Sequence, residues 1–235
     1  VIMVGSYVVY FAFGASGLDP VLSIVLSMIV CTILGVVIER LAYRPLREAP
    51  SLAVLITAIG VSYLLQQVAQ LSWSSNPKSF TSVVSGMKPV SLFGGQLTIS
   101  AETIVTIVAC VVIMVVLMWF VNYTPAGHAM LAVSEDRGAA QLMGVNVNGT
   151  ISLTFAIGSA LAAIAGALLC SSYPTLQPTT GAMPGIKAFV AAVFGGIGSI
   201  PGAFVGGILL GIIENLSKAY ISTQLSDAIV FLVLV

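Results

Sequence analysis

Long apolar runs joined by short polar stretches make up this chain. Runs of about 20 apolar residues, enough to cross a hydrocarbon core of roughly 30 Å, cover 21–38, 52–71, 102–121 and 151–170. Each predicts a spanning helix. From 186 to 216 the apolar pattern is interrupted by Gly195-Gly196-Ile197-Gly198-Ser199-Ile200-Pro201-Gly202. That density of Gly and Pro breaks a helix, so the pattern predicts two short helices, 186–197 and 202–216. Short or broken helices are common where a membrane pathway is lined. The chain opens at Val1 in one hydrophobic run and ends at Val235 in another, so both terminal spans are expected to be incomplete. The expectation is an all-α integral membrane protein of about eight hydrophobic segments, forming one transmembrane domain over 1–235.

Two polar stretches break this pattern. In the 72–101 loop, Val90-Ser91-Leu92 and Leu97-Thr98-Ile99 flank Gly94-Gly95, which predicts a small β-hairpin. It reads either as a lid or partner contact, or as a plain ordered connection. The second stretch, 122–150, is a polar island holding a short helix at about 135–143. Ser134 is the expected N-cap, Glu135 and Asp136 place negative charge on the first turn, and Gly144 supplies the left-handed C′ position. Ala139, Ala140 and Met143 are expected to share one low face that fits a groove on another protein.

Composition sharpens the class. With 58% apolar and only 7% charged residues, and a mean hydropathy of +1.11, the chain lies far from the soluble norm of roughly 25% charged residues. Its net charge of zero implies no attraction to nucleic acid or anionic lipid. If the spans alternate, Arg40, Arg44, Arg47 and Arg137 fall on one side, and Lys78, Lys88, Lys187 and Lys218 on the other. The short 39–50 segment concentrates arginines, so the positive-inside rule puts 39–50 and 122–150 in the cytoplasm and the 72–101 loop outside.

Catalytic chemistry is not legible. The glycine cluster at 195–198 lacks a following Lys-Ser/Thr and stands between apolar helices, so it is no nucleotide-binding loop. His128 has no carboxylate or nucleophile at a useful spacing and reads as a loop histidine. Cys31, Cys110 and Cys170 read as small buried hydrophobes, with no metal-ligand spacing. The middles of the four long spans hold no Asp, Glu, Lys or Arg, which argues against an ion-coupled carrier. Glu39, Glu102 and Glu214 are expected at span ends, within reach of water.

Small residues recur at helix-packing spacing. Gly158, Ala162, Gly166 and Cys170 lie on one helix, and Gly202, Gly206, Gly207 and Gly211 on another, with Gly196, Gly198 and Pro201 in the break between the short helices. They serve either static close packing or sliding during gating. Thr57, Gly60, Tyr63, Gln67 and Gln70 form a stripe on the 52–71 span that either lines a solute path or hydrogen-bonds neighbouring helices.

Four stretches together resemble the membrane permease subunit of a bacterial branched-chain amino acid ABC importer. They are Leu41-Ala42-Tyr43-Arg44-Pro45-Leu46-Arg47 with Leu55–Ser62; the 134–144 island; Leu153–Ala162; and Ala192–Ala203 running on to Gly211-Ile212-Ile213-Glu214. The resemblance covers nearly the whole chain and implies a multi-pass protein of the bacterial cytoplasmic membrane. It further implies a second permease subunit, a related heterodimer partner, beside this chain. Two cytoplasmic ATPases binding ATP and Mg, and an extracytoplasmic solute-binding protein, complete the expected assembly.

On this resemblance the chain has no catalytic or metal site and no cofactor of its own. The island corresponds to the coupling helix that such permeases dock into an ATPase cleft, with Glu135, Asp136, Arg137, Ala139, Ala140, Met143 and Gly144 as coupling residues. The family's Glu-Ala-Ala pattern meets Gly138 at the Glu position, leaving that contact to Glu135, Asp136 or Arg137. Gly138 also weakens the helix by roughly 1 kcal/mol relative to Ala. Two other readings stand beside this one: an importer permease for urea or another small neutral solute, and a stand-alone channel or facilitator.

Overall fold

The computed structural model describes residues 1–15, 17–46, 49–80, 90–92 and 97–233. Arg47, Lys88 and the Phe93–Gln96 turn of the expected hairpin lie outside them. The helices are α1 (Ile2–Val9), α2 (Pro20–Ile38), α3 (Ser51–Trp73), α4 (Ala101–Tyr123), α5 (Pro125–Glu135), α6 (Arg137–Leu142), α7 (Val147–Ser172), α8 (Ala182–Phe194), α9 (Ile200–Tyr220) and α10 (Ser226–Leu232). Among the described residues, five helical stretches are long and apolar enough to cross a membrane: Pro20–Leu46, Leu52–Trp73, Ala101–Tyr123, Val147–Ser172 and Ile200–Tyr220. The protein is a multi-pass, all-α membrane protein.

Three differences from the expected elements have clear causes. The 39–46 stretch is helical, because α2 runs on through a π-turn at Glu39–Tyr43 and a 3₁₀ turn at Arg44–Leu46. The second helix after the Gly/Pro break is a full-length one, Ile200–Tyr220, since Ser199 caps it by accepting from the Gly202 amide (3.1 Å) and Pro201 occupies the first turn. There proline costs no backbone hydrogen bond. The Gly195–Ser199 break is a tight turn in which Gly196 (φ 95°) and Gly198 (φ 97°) take left-handed conformations, which L side chains disfavour.

The described residues divide into two compact units: Val1–Ala109 with Pro125–Thr180, and Cys110–Thr124 with Gly181–Val235. In the first, α1, α2 and α7 pack on one another through small residues. The buried face of α7 carries Ser159, Ala163, Gly166, Ala167, Cys170 and Ser171. A Cβ on Gly166 would come within 2.5 Å of the Ile2 carbonyl oxygen, and one on Gly5 within 2.8 Å of the Ala163 Cα. A Cβ on Gly35 would overlap the Ser159 hydroxyl. The Ser27 hydroxyl donates to the Gly5 carbonyl (2.8 Å) between α1 and α2.

The packing stripe expected on α7 is therefore rotated. Gly166 and Cys170 belong to it, Gly158 is exposed with open space around it, and Ala162 is half-buried at its edge. The contacts with α1 and α2 bury the neighbouring Ser159, Ala163 and Ala167 together with Gly166 and Cys170.

Where the described chain leaves the far end of α7, Thr175–Leu176 pairs antiparallel with Lys78–Ser79, joining the loop after α3 to the end of α7. Tyr7, Phe80, Ala69, Cys170 and Leu176 bury together there, with Trp73 stacked on Tyr7 at 4.5 Å between ring centroids. The expected hairpin is present in its arms, Val90–Leu92 paired with Leu97–Ile99. Cys31 and Cys170 are buried as expected, but Cys110 is exposed on α4, a helix with no buried residue.

In the second unit, α8 and α9 meet through Gly195, Gly202 and Gly206, where a Cβ on either of the first two would overlap the other's backbone. Gly206 lies against the Ala191 carbonyl, 2.5 Å from where its own Cβ would stand. Gly207 and Gly211 have open space instead, so only one of the two expected glycine rows of α9 packs within the described residues. Lys187 of α8 bridges Glu214 of α9 (2.9 Å) and Asp227 of α10 (2.7 Å), and Lys218 adds a second cation on Glu214. This three-helix ion network was not foreseen, because Lys187, Glu214 and Asp227 are far apart in sequence and only the Glu214–Lys218 pair has a local i,i+4 spacing.

Candidate functional site

The island after α4 is built from two helices. Pro125 opens α5, which runs to Glu135, and Ser134 is part of it, its hydroxyl donating to the Leu131 carbonyl at 2.7 Å. The expected Ser134 cap is thus displaced by two residues. Asp136 is the N-cap of α6, and its Oδ1 accepts from the amides of Gly138 (2.8 Å) and Ala139 (3.1 Å). An aspartate outranks serine here because it adds a favourable charge at the helix start to the same amide bonds.

The C-terminal end of α6 closes as expected. Gly144 stands at φ 86°, its amide donates to the Gln141 carbonyl and the Val145 amide to the Ala140 carbonyl, each at 3.0 Å. This is the paired bonding of a Schellman motif, for which glycine is the favoured residue. Six residues with both ends capped hold their shape despite Gly138. A Cβ on Gly138 would stand 3.3 Å from the Asp136 carboxylate oxygen, so glycine also leaves room for the cap.

Replacing Asp136 with Ala should cost the helix about 1 kcal/mol. Amide hydrogen exchange at Gly138 and Ala139 should then quicken about fivefold, while Asp136→Asn stays near the native rate.

The structure divides the expected docking face. Ala140 is 4% exposed and packs inward, so it belongs to the chain's own core. Ala139 is exposed, Met143 is 85% exposed, and Leu142, which the spacing argument passed over, is 90% exposed. Glu135, Asp136, Arg137 and Gly138 are exposed beside them. The outward surface is therefore a two-residue apolar tip, Leu142-Met143, at the C-terminal end of α6, with the charged residues at its N-terminal end. Leucine at 142 was missed because so short a helix has no room for a repeating apolar period.

From this tip the chain passes through Val145 to Asn146, whose side chain accepts from the Gly149 amide (3.1 Å) and caps α7. One turn on, the Ser152 hydroxyl donates to Glu39 Oε2 at 2.7 Å. Glu39 is 0% exposed, which corrects the expectation that water reaches it. The carboxylate lies in the π-turn of α2, a distortion that often marks functional positions. Glu214 is one-fifth exposed and held by its two lysines.

The expected pathway stripe lies on α3, a helix whose apolar window is only 6% buried. Gly60 has open space around it, Tyr63 is 62% exposed, and Gln67 is exposed. The Thr57 hydroxyl bonds back to the Ala53 carbonyl at 2.8 Å. Gly60, Tyr63 and Gln67 point out of the described chain, and Thr57 is half-buried.

The whole chain, residues 1–235, matches the family model of the branched-chain amino acid transport system permease component. The high-affinity branched-chain amino acid transport system permease protein LivH of Escherichia coli is 40% identical over 246 residues, covering 100% of this chain and 79% of LivH. Its counterpart BraD of Pseudomonas aeruginosa is 40% identical, covering 98% of this chain and 78% of BraD. The fructose import permease protein FrcC of Rhizobium meliloti is 28% identical over 83% of this chain and 55% of FrcC. No solved structure matches. Identity at this level across every span identifies the chain as a member of the branched-chain amino acid transport permease family.

Proposed function

We infer that this chain is the permease subunit of an ATP-driven importer that passes branched-chain amino acids across the bacterial cytoplasmic membrane. The observation that carries the reading is the Leu142-Met143 tip, apolar and almost wholly exposed on a helix capped at both ends. Exposed apolar side chains on a short helix that also carries exposed charge are what a partner groove buries. Two cytoplasmic ATPases, binding ATP and Mg, take α6 as the coupling helix. A related second permease packs beside this chain, and an extracytoplasmic binding protein delivers the solute.

In this reading the outward stripe of Thr57, Gly60, Tyr63 and Gln67 meets the second permease across the solute path. The α6 helix moves with the ATPases, and α7, starting four residues after α6 ends, carries the motion into the membrane.

Uptake of labelled leucine into vesicles holding this chain with its partners should require internal ATP and stop when the ATPases are left out. Leucine moving down its gradient without ATPases would make the chain a facilitator instead. The likeness to a fructose import permease keeps other neutral solutes in view, and competition by urea or fructose at leucine concentrations would reassign the substrate.

A further inference from the structure

Where α2 and α7 reach the arginine-bearing end of the span pair, they leave a groove of about 430 Å³ between them. The helices run antiparallel, since Gly35 faces Ser159 and Glu39 bonds Ser152. Moving outward along the groove therefore means rising in number on α2 and falling on α7. The lining changes character along that axis. Its inner walls are Val36 and Ala156, Ser152 and Leu153 stand at the level of Arg40, and its outer walls are Arg44, Asn146 and Asn148.

Position sets what this gradient can hold. At 1.5 Å per residue, Arg40 lies roughly 30 Å from Pro20 along the helix, which is the thickness of the hydrocarbon core. The two guanidiniums are thus at the level of lipid headgroups, and Val36 and Ala156 are one turn inside the acyl region. Arg40 and Arg44 are both exposed and stand one turn apart on the same face, a spacing that lets both reach one anion. Guanidinium forks match phosphate oxygens in geometry and charge.

We propose that this groove binds the phosphodiester headgroup of an anionic phospholipid, with the phosphate held by Arg40 and Arg44 and the first acyl carbons laid along Val36, Leu153 and Ala156. A soluble phosphate would satisfy the arginines but leave the apolar walls unused, and that favours the lipid. The inference does not depend on the solute or on the direction of transport.

The test places the permease in nanodiscs and measures its association with spin-labelled phosphatidylglycerol against spin-labelled phosphatidylcholine. The native chain should prefer phosphatidylglycerol about fivefold or more. Arg40→Gln with Arg44→Gln should abolish the preference, and the double Lys variant should keep at least half of it. Asn148→Asp gives an independent reading: an acid in the first turn favours α7 as a helix, so the fold is kept while the preference drops about threefold.

A preference unchanged in both the Gln and the Asp variants would overturn the proposal. So would displacement of the lipid by millimolar inorganic phosphate, which would mark a soluble-anion site. Complete release of the lipid when the ATPases bind would assign the groove to subunit docking and overturn it equally.

Discussion

Leu142→Asp combined with Met143→Asp should abolish ATP-dependent uptake while leaving the permease folded in the membrane. Both side chains are more than four-fifths exposed, so the substitutions remove nothing from the chain's own packing, and surface changes of this kind usually stay within about 0.5 kcal/mol. In the proposed assembly the same two side chains would be the apolar anchors of α6. Losing one central anchor commonly costs about 2 kcal/mol or more of binding, and each 1.4 kcal/mol is tenfold in affinity. Two buried carboxylates add a desolvation cost, so affinity for the ATPases should fall about a hundredfold or more. Co-purification of the ATPases and leucine uptake are the measurements, with thermal unfolding of the isolated permease as the control. Full uptake by the double variant would remove α6 from the coupling role. Ala140→Arg is a poorer probe, because Ala140 is buried and its loss of function would mix misfolding with failed docking.

The second large effect separates two glycines of one helix. Gly166→Val should destabilise the protein by about 2–3 kcal/mol, as overpacked sites do, because its Cβ meets the Ile2 carbonyl at 2.5 Å and the Ser6 hydroxyl at 2.7 Å. The main-chain atom cannot step aside without moving α1. Gly158→Val, eight residues earlier, meets nothing within 4 Å and should change stability by no more than about 0.5 kcal/mol. Detergent-denaturation midpoints of the two variants against the native chain decide it. Equal losses would mean that the substitutions act through helix propensity, which both share, and not through the α1–α7 contact.

The long spans were legible because apolar length is a strong signal, and the boundaries fell within a few residues of 21–38, 52–71, 102–121 and 151–170. The end of the first span was not, since Arg40, Tyr43 and Arg44 read as loop chemistry, while the backbone keeps its hydrogen bonds through a π-turn. Burial of Glu39 was invisible for a related reason: its partner Ser152 is 113 positions away. In the candidate coupling region, the C-terminal signal at Gly144 was clear because only a left-handed residue ends a helix that way. The N-cap was placed at Ser134, two residues early, because serine and aspartate both cap helices and only Glu135 stands between them. The inward turn of Ala140 could not be read from α6 alone, because six residues define no face until α5 and α7 are placed against them.

The unbroken course of α7 has a mechanical meaning. Its 26 residues span about 39 Å, longer than the roughly 30 Å of the hydrocarbon core, so one rod emerges on both faces of the membrane. At one end hangs the α6 tip, and at the other Thr175–Leu176 is stitched to Lys78–Ser79. Neither proline nor π-turn interrupts it, in contrast to α2. Such a rod has no joint in which to lose a displacement: pivoting about its middle by about 5° would swing each end by roughly 2 Å in opposite senses. A nudge delivered in the cytoplasm would then be felt on the outer surface at the same moment, with no relay of intermediate parts.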